Sequence, residues 1–375
     1  MLNNLYYRNP ESGLLEFQEE GFKPNKFLTW ERGRNGGILS AKPKEFAADG
    51  ALAILRIADP IATQLVQGFT NGNLIGNNLF KSVRMEKESG KFPAFGQEAF
   101  VIPGNIKRAY GERVQRLNTQ TGSVQMSLSE YALGVSIENR ERNEWGGSPD
   151  MLLTGKLNQV SDKIALYREY LQAKTLTTTT NYGTSLAVNG ASQKWGNTAT
   201  PGDPVKDMRS LILTVQGTIG RRPNAAWFTP GSWELFINNA NVLNRIKYGG
   251  NPITPAQMTT RAAAELLQVD NVYVGYAVYG TGGDGGGGGV GKAALTTGYV
   301  WDNVGNQTSN YAGALVVGTG AGIEPAYGYT FERNNSPVVE SWYDYTTKSQ
   351  VWDYEHFFDA VVTLNTAGAM YYNLA

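Results

Sequence analysis

The sequence predicts an α+β protein with two lobes, and three observations support this prediction. First, 375 residues exceed the length at which a single hydrophobic core usually keeps growing. Second, short strands alternate with amphipathic helices between residues 204 and 276, which is typical of an α/β lobe. Third, nearly all of the chain beyond the glycine-rich stretch 282–291 has the pattern of antiparallel strands.

The composition excludes several classes of function. The chain has no cysteine and one histidine, so disulfides, zinc–thiolate sites and His-rich metal sites are excluded. The absence of cysteine suits a protein made in a reducing cytoplasm. No apolar run approaches the ~18 residues that a membrane span needs, and the N-terminus lacks the features of a signal peptide. We therefore expect no membrane partner and no cofactor.

Residues 1–50 predict an extended arm. Isolated aromatic residues lie there among glycine, proline and charged residues, in a pattern that fits neither a helix nor a strand for long. Seven basic residues are balanced by seven acidic ones, so the arm is not an electrostatic tail for nucleic acid. Its aromatic side chains are expected to pack on the chain itself or on a neighbouring subunit. A short helix over Ala51–Phe69, broken at Pro60, is expected to follow.

A long, weakly apolar stretch runs from Lys81 to Asn118 and predicts a functional loop. Its strand-like pieces are Val83–Lys87 and Lys91–Phe95. Eight basic and four acidic residues give the stretch a charge of +4, whereas seven acidic and two basic residues from Gly320 onward give −5. The difference is either local variation or a cationic loop that lies across an acidic β surface, such as that of the next subunit. The candidate contact residues are Lys87, Lys91, Arg108, Arg113 and Arg116 on the loop, and Glu340, Asp344, Asp353 and Glu355 on the strands.

The clearest helix is predicted over 148–175. Leu153, Leu157, Val160, Ile164 and Leu171 form one apolar stripe, Ser148 is a good N-cap and Pro149 suits the first helical position. Before it, the alternation over 119–138 predicts a strand pair that returns to the core. The next predicted element is a helix with Asp203 as its N-cap, Gly220 at its end and an apolar stripe of Met208, Leu211, Ile212, Val215 and Ile219. It is followed by a buried strand Ala225–Phe228, helices Ser232–Ile246 and Thr259–Leu267, and strands Val272–Tyr276, Gly328–Arg333, Val338–Thr346 and Ala360–Leu364.

Three patterns suggest chemistry only weakly. His356 lies in an aromatic strand and is expected to be a packing residue. Gly286-x4-Gly291-Lys292-Ala293 approaches a phosphate-binding loop, but alanine replaces the required serine or threonine and a strand is predicted to follow. The pairs Asp353/Glu355 and Asp344/Glu340 could serve a glycosidase, although acidic residues on strands usually form a solvated face.

The order of these elements resembles the major capsid proteins of tailed phages, which have the Hong Kong 97 type of shell fold. The resemblance covers residues 51–375 and no single motif in it is diagnostic. The stretches that carry it are Asn71–Phe80 leading into Val83, Lys91–Phe95, the helix 148–175, Arg222–Pro230 followed by Trp233–Phe236, Val242–Gly249 and Val361–Met370.

The resemblance implies a Hong Kong 97-like domain order. An N-terminal arm (1–50) is followed by the start of the peripheral domain (51–80), an extended E-loop β-hairpin (81–118), the peripheral domain with its spine helix (119–203, helix 148–175), an axial domain (204–325) and peripheral-domain strands (326–375). The arm is too short and not helical enough to match a built-in scaffolding domain. Some relatives crosslink lysine to asparagine, and Lys87 or Lys91 could take part, but no pair can be assigned.

The function implied is that of a non-enzymatic head protein in the virion. Pentamers and hexamers of the chain would assemble in the bacterial host cytoplasm into an icosahedral shell around double-stranded DNA, which they would contact non-specifically. A separate scaffolding protein, a portal and a decoration protein would be its further partners. Two alternatives remain: the shell of an encapsulin-type nanocompartment, and a β-rich phage tail or adhesion glycosidase.

Overall fold

The computed structural model of the chain describes residues 6–8, 15–17, 28–32, 38–43, 57–59, 62–63, 74–94, 102, 106–108, 110–111, 113–114, 116, 122–145, 149–190, 194–196, 202–249, 258–281, 296–303, 310–320 and 324–374. The chain divides into two compact units, Met1–Ile57 and Ala58–Ala375. No described helix is long and apolar enough to cross a membrane.

The helices of the described residues are α1 Gly76–Leu79, α2 Asn139–Glu144, α3 Pro149–Thr177, α4 Pro204–Ile219, α5 Pro230–Ile237, α6 Ala240–Gly249, α7 Thr260–Leu267 and α8 Val300–Asn303, with a 3₁₀ turn at Thr179–Asn181. The strands are β1 Tyr6–Arg8, β2 Leu15–Phe17, β3 Leu28–Arg32, β4 Ile38–Pro43, β5 Ile57–Ala58, β6 Lys81–Met85, β7 Ser89–Ala94, β8 Gly122–Ser127, β9 Ser129–Glu138, β10 Ala187–Asn189, β11 Ala225–Phe228, β12 Asn271–Val274, β13 Val278–Thr281, β14 Thr296–Tyr299, β15 Ala312–Leu315, β16 Gly328–Arg333, β17 Val338–Asp344, β18 Ser349–Val362 and β19 Gly368–Tyr372.

The first unit contains two antiparallel strand pairs. β1 pairs with β2, and β3 pairs with β4. The pattern in this region predicted no lasting strand, and the five and six residues of β3 and β4 show that this expectation was wrong. The sequence between them contains Asn35-Gly36, which is a strong hairpin signal and could have revealed the pair.

The second unit contains a six-stranded sheet centred on β18. β17 pairs with its first half, β16 with its last residues, and β9 along Ser349–Phe358. β6 joins β16 in parallel, and β5 lies next to β17 as the sixth strand. The strand predicted over Ala360–Leu364 is confirmed as far as Val362, where it forms the end of β18. The two strands predicted within 119–138 are present as β8 and β9, but their pairing with each other was predicted wrongly: β8 pairs with β7, and β9 pairs with the distant β18.

The helix predicted at Ala51–Phe69 is only partly within the described residues, and its start is a correction. Ile57 and Ala58 form a strand. Asp59 then accepts a hydrogen bond from Ala62 N at 3.1 Å, and its carbonyl accepts one from Thr63 N at 2.9 Å. Asp59 therefore acts as an N-cap, so helical geometry begins after this residue rather than before it.

The long helix α3 crosses one face of the six-stranded sheet. Leu157, Val160 and Ile164 pack against Val339, Tyr354 and Phe358 of β17 and β18. This stripe is the one predicted from the sequence, and the helix covers Pro149–Thr177 against the predicted 148–175. The predicted N-cap, Ser148, lies outside the described residues.

A five-stranded sheet with the order β10-β19-β15-β11-β12 forms the second core. Every residue of β11 is buried, and α4 packs its predicted stripe onto this sheet, with Ile212 and Val215 fully buried. Asp203 accepts a hydrogen bond from Lys206 N at 3.2 Å, and Gly220 ends α4 at φ 67°. Both caps of α4 are those that the sequence predicted.

The single helix predicted over Ser232–Ile246 is two helices, α5 and α6. The break falls at Asn239, whose side-chain Nδ2 donates to Trp195 O at 3.0 Å and whose Oδ1 accepts from Asn241 N at 2.9 Å. The side chain of Asn239 thus competes for backbone groups, which interrupts the helix and starts the next one. The helix predicted over Thr259–Leu267 is confirmed, with Thr259 as its N-cap.

Candidate assembly surfaces

The two faces of the six-stranded sheet have different environments. Side chains alternate along a strand and lie on the same face as their cross-strand partners. Tyr354, His356 and Phe358 of β18 therefore point towards α3, together with Tyr131 and Val135 of β9. The odd-numbered residues of β18 point to the other face, which we call the open face.

The open face is acidic along β9, β17 and β18. The register places Glu340 directly opposite Asp353, with Asp344 four residues along β17 and Glu355 two residues along β18. On β9, Glu138 lies opposite Ser349 and Glu130 opposite Phe357. The remaining positions of the open face in these three strands are Ala132, Gly134, Ser136, Val338, Trp342, Ser349, Val351, Phe357, Asp359 and Val361, so no lysine or arginine lies among them.

The four acidic residues predicted as contact candidates thus share one face. Asp353 accepts a hydrogen bond from Trp342 Nε1 at 2.9 Å. Hydrogen bonds from the Thr346 and Thr347 hydroxyls lower the pKa of Asp344 to about 2, so this carboxylate stays ionised at neutral pH. Glu340 and Glu355 are half-buried. Glu130 and Glu138 were missed, because only the pairing of β9 with the distant β18 brings them to this face.

The hairpin β7–β8 covers one end of the open face. Phe92 and Met126 pack with Tyr329 and Phe331 of β16, and the ring centroids of Phe92 and Phe331 are 4.9 Å apart. At this border Arg333 forms an ion pair with Glu88 at 3.1 Å, and its guanidinium lies 4.8 Å from the ring centroid of Phe357. The hairpin is therefore rooted on the same face that carries the acidic residues.

The segment 95–121 between β7 and β8 is basic and exposes apolar side chains. Of the predicted contact residues, Arg108, Arg113 and Arg116 are exposed in this segment, Lys91 is exposed on β7 and Lys87 in the turn before it. Ile102 is 83% exposed, Ile106 73% and Val114 66%, and Tyr110 is fully exposed. Four large apolar side chains are thus exposed to water among the described residues of this segment, which makes it a candidate interaction surface.

The weaker chemical candidates have structural roles or lie outside the described residues. His356 is buried among Tyr354 and Phe358, and burial together with the nearby Arg168 lowers its pKa to about 4. The phosphate-loop-like residues 286–293 are not within the described part; β14 is the strand expected to follow them. Among the described residues, no group of three or more His, Asp or Glu side chains could hold a metal ion.

Comparisons with known proteins agree with a shell-forming role. No family model matches the chain. A protein named major capsid protein, from Burkholderia phage BcepMu, is 31% identical over 294 residues, which cover 78% of this chain and 89% of that protein. The crystal structure of a phage-related protein from Bordetella bronchiseptica RB50 matches with a TM-score of 0.65 and 21% identity, covering 85% of this chain and 98% of that one. The crystal structure of a putative capsid protein of a prophage from E. coli CFT073 matches with a TM-score of 0.50 and 10% identity, covering 85% and 99%.

The fold is therefore that of phage capsid subunits, and the predicted α+β, Hong Kong 97-like class is confirmed. The chain belongs to the family of phage major capsid proteins. It is a structural protein of the phage head, it associates with copies of itself into a shell, and its place is the capsid of the virion. The E-loop, the axial domain and the contact residues stay predictions.

Proposed function

We propose that this chain forms pentamers and hexamers in an icosahedral shell around a double-stranded DNA genome, and that segment 95–121 of one subunit lies across the open face of a neighbour. In this arrangement the hairpin β7–β8 with segment 95–121 is the E-loop, α3 is the spine helix, and the five-stranded sheet with its helices is the axial domain. β6 belongs to the six-stranded sheet, so the projecting part of the predicted E-loop (81–118) starts after it.

The observation that carries this proposal is the exposure of Ile102, Ile106, Tyr110 and Val114. Burial of apolar surface is the main source of favourable free energy in most protein associations, so these side chains are expected to be covered in the assembled shell. The open face offers partly exposed apolar partners of its own in Trp342, Val351 and Phe357. An interface of this kind has an apolar centre with charges around it.

Complementary charge supports the same pairing. Lys107, Arg108, Arg113 and Arg116 outnumber Glu98 and Glu112 in segment 95–121, and seven carboxylates lie on the open face of β9, β17 and β18. Opposite charges at an interface guide encounter and fix register more than they add affinity. Segment 95–121 is also long enough to cross a neighbouring subunit's sheet. If it runs out and back, each half spans about 40 Å when fully extended, which exceeds the width of a small sheet.

The further partners follow from the role of a head protein. We propose that a separate scaffolding protein directs assembly in the host cytoplasm, that a portal occupies one vertex, and that a decoration protein can bind the outer surface. The balance of 33 basic and 33 acidic residues suits non-specific contact with packaged DNA rather than tight binding. No step of this role requires a catalytic residue or a cofactor.

Electron microscopy of the protein, co-expressed with the scaffolding protein of the same phage, tests this proposal. We expect closed shells, with rings of five and six subunits, and a particle mass by light scattering that corresponds to hundreds of copies. Shells that contain cargo protein instead of genome would favour the encapsulin alternative. Absence of particles would contradict the proposal.

The glycosidase alternative has its own test. The Asp353 carboxylate accepts a hydrogen bond from Trp342 Nε1, which gives it a structural role in the sheet. We therefore expect the variant Asp353→Ala/Glu355→Ala to keep any polysaccharide-cleaving activity that the preparation shows. Loss of such an activity with assembly intact would support the enzyme and contradict the capsid proposal.

A further inference from the structure

Three polar side chains of α3 are buried within one turn of the helix. Arg168 is 9% exposed, Glu169 1% and Gln172 fully buried. The apolar stripe that the sequence predicted for this helix does not include them. We call these residues and their hydrogen-bond partners the α3 junction.

Glu169 joins two separate parts of the second unit. Its Oε2 accepts a hydrogen bond from Gly76 N at 2.7 Å, and its Oε1 accepts one from Ile75 N at 3.0 Å, both at the start of α1. The same Oε1 accepts a hydrogen bond from Trp301 Nε1 of α8 at 2.8 Å. Trp301 is fully buried, and its ring centroid lies 5.7 Å from that of Trp227 in the five-stranded sheet.

Arg168 and Gln172 bind α1 and the paired strands β6 and β16. Arg168 forms an ion pair with Glu332 of β16 and donates to Ser82 Oγ of β6 at 2.8 Å. Gln172 Nε2 donates to Thr330 Oγ1 of β16 at 2.8 Å and to Asn77 Oδ1 of α1 at 3.2 Å. We call α1 and β6, which precede the β7–β8 hairpin, its root. Four hydrogen bonds thus join this root to side chains of α3.

The packing leaves little freedom at this root. A Cβ atom at Gly76 would overlap with Gln172 Oε1 and would lie 2.6 Å from Glu169 Oε2, so a larger residue at this position would displace both side chains of the junction. A buried carboxylate is unfavourable compared with an apolar residue of the same size unless its hydrogen bonds are complete. The hydrogen bonds fix the direction of each partner group, whereas an apolar side chain would not.

We propose that Glu169 is a positioning residue for shell assembly. By binding α1 and α8 through one carboxylate, it fixes the direction in which the hairpin leaves the six-stranded sheet relative to the five-stranded sheet. This inference rests on the proposed docking of segment 95–121 on a neighbouring subunit. Because the neighbour is reached through the hairpin, a small change of angle at the root changes the angle between subunits and hence the curvature of the shell.

The test compares three variants of the full chain, each co-expressed with the scaffolding protein. Glu169→Gln keeps the size of the side chain, but its amide group replaces an acceptor with a donor opposite a backbone N–H. Trp301→Phe removes only the donor from α8 and leaves the hydrogen bonds to α1. Val160→Ala destabilises the same helix away from the junction and serves as the control, with the unfolding midpoints in urea compared for all three.

Two measurements separate positioning from simple loss of stability. Hydrogen exchange of the unassembled subunit should become about tenfold faster at Ile75 and Gly76 in Glu169→Gln, and stay unchanged there in Trp301→Phe. Electron microscopy should show tubes or shells of mixed diameter for both junction variants, whereas Val160→Ala should give shells of wild-type diameter.

Shells of uniform wild-type diameter from either junction variant would overturn this inference. If Glu169→Gln is recovered only as aggregate, Trp301→Phe decides the question by the same criterion. The wild-type chain is the reference in each experiment: absence of shells there would contradict the proposed function itself, whereas wild-type shells with unchanged junction variants would contradict only the role of Glu169.

Discussion

The two faces of the six-stranded sheet are made from the same strands and differ in burial and in charge. Towards α3, the side chains of β18 are Tyr354, His356 and Phe358, all buried within the subunit. Towards the open face they are Asp353, Glu355 and Phe357, which remain partly exposed. One face is thus explained by the stability of the single subunit, whereas the acidic character of the other contributes little to folding.

This difference shows that adjacent residues of one strand can have different environments and different roles. Under the proposed docking of segment 95–121, alternation along β18 separates the residues used for folding from those used for assembly. Substitutions of neighbouring residues should therefore affect either the free energy of unfolding or assembly, but rarely both to the same extent.

The largest expected effect distinguishes Phe358 from its neighbour Phe357. Phe358→Ala leaves a cavity beneath α3 and should lower the free energy of unfolding by about 3–5 kcal/mol. Phe357→Ala loses partial burial and the contact with Arg333, and should cost about 1 kcal/mol. Urea unfolding of the unassembled subunit measures both. Equal losses would mean that the two faces do not differ as described.

A second effect appears on acidification and belongs to the covered face. The pKa of His356 is about 4 in the folded protein against 6.5 in the unfolded chain, because burial and Arg168 disfavour the charged imidazole. The folded state therefore binds the proton less readily, and stability is lost as the pH falls from about 6.5 to 4. The difference corresponds to about 3 kcal/mol.

The variant His356→Leu isolates this effect. It removes the titrating group, and the buried Nε2 that it deletes has no hydrogen-bond partner, so stability at pH 7 should change little. Burial raises the pKa of Glu169, which acts in the opposite direction in both proteins and cancels in the comparison. Urea midpoints between pH 7.5 and 4 should fall more steeply for the wild type. Parallel pH profiles would rule out His356 as the cause.

The smallest effect on folding is expected on the open face. Glu340→Gln should change the free energy of unfolding by no more than about 0.5 kcal/mol, because Glu340 is a partly exposed strand residue. Shell assembly followed by light scattering should nevertheless slow, and the slowing should be larger at low salt than at 0.5 M, where charges are screened within about 4 Å. An effect that is independent of salt would argue against a charge contribution.

Local sequence patterns predicted those parts of the fold that depend on neighbouring residues. The stripe of α3 and both caps of α4 could be predicted because helix periodicity and capping involve residues close in sequence. The break at Asn239 was missed, because its side chain bonds to Trp195 and Gly202, which are distant in the chain. Pairing of β9 with β18 was missed for the same reason.

The candidate surfaces were predicted in part. Charge counting identified Arg108 and Arg113 on the loop and Glu340 and Asp353 on the strands, since excess charge is visible in the sequence. It could not show that the four acidic residues share a face with Glu130 and Glu138, because this depends on register. Nor could it find Glu169, which interrupts no pattern of α3 and acquires its role only through α1 and α8.

The most direct test of the docking of segment 95–121 on the open face is to exchange the charges of these two surfaces and to examine assembly by electron microscopy at low salt. Arg108→Glu/Arg113→Glu and Glu340→Arg/Glu355→Arg should each abolish or strongly reduce shells, because like charges would then face each other between subunits. The protein that carries all four substitutions should regain shells of wild-type diameter. Normal shells from both double variants, or no recovery in the combined one, would contradict docking of segment 95–121 on the open face.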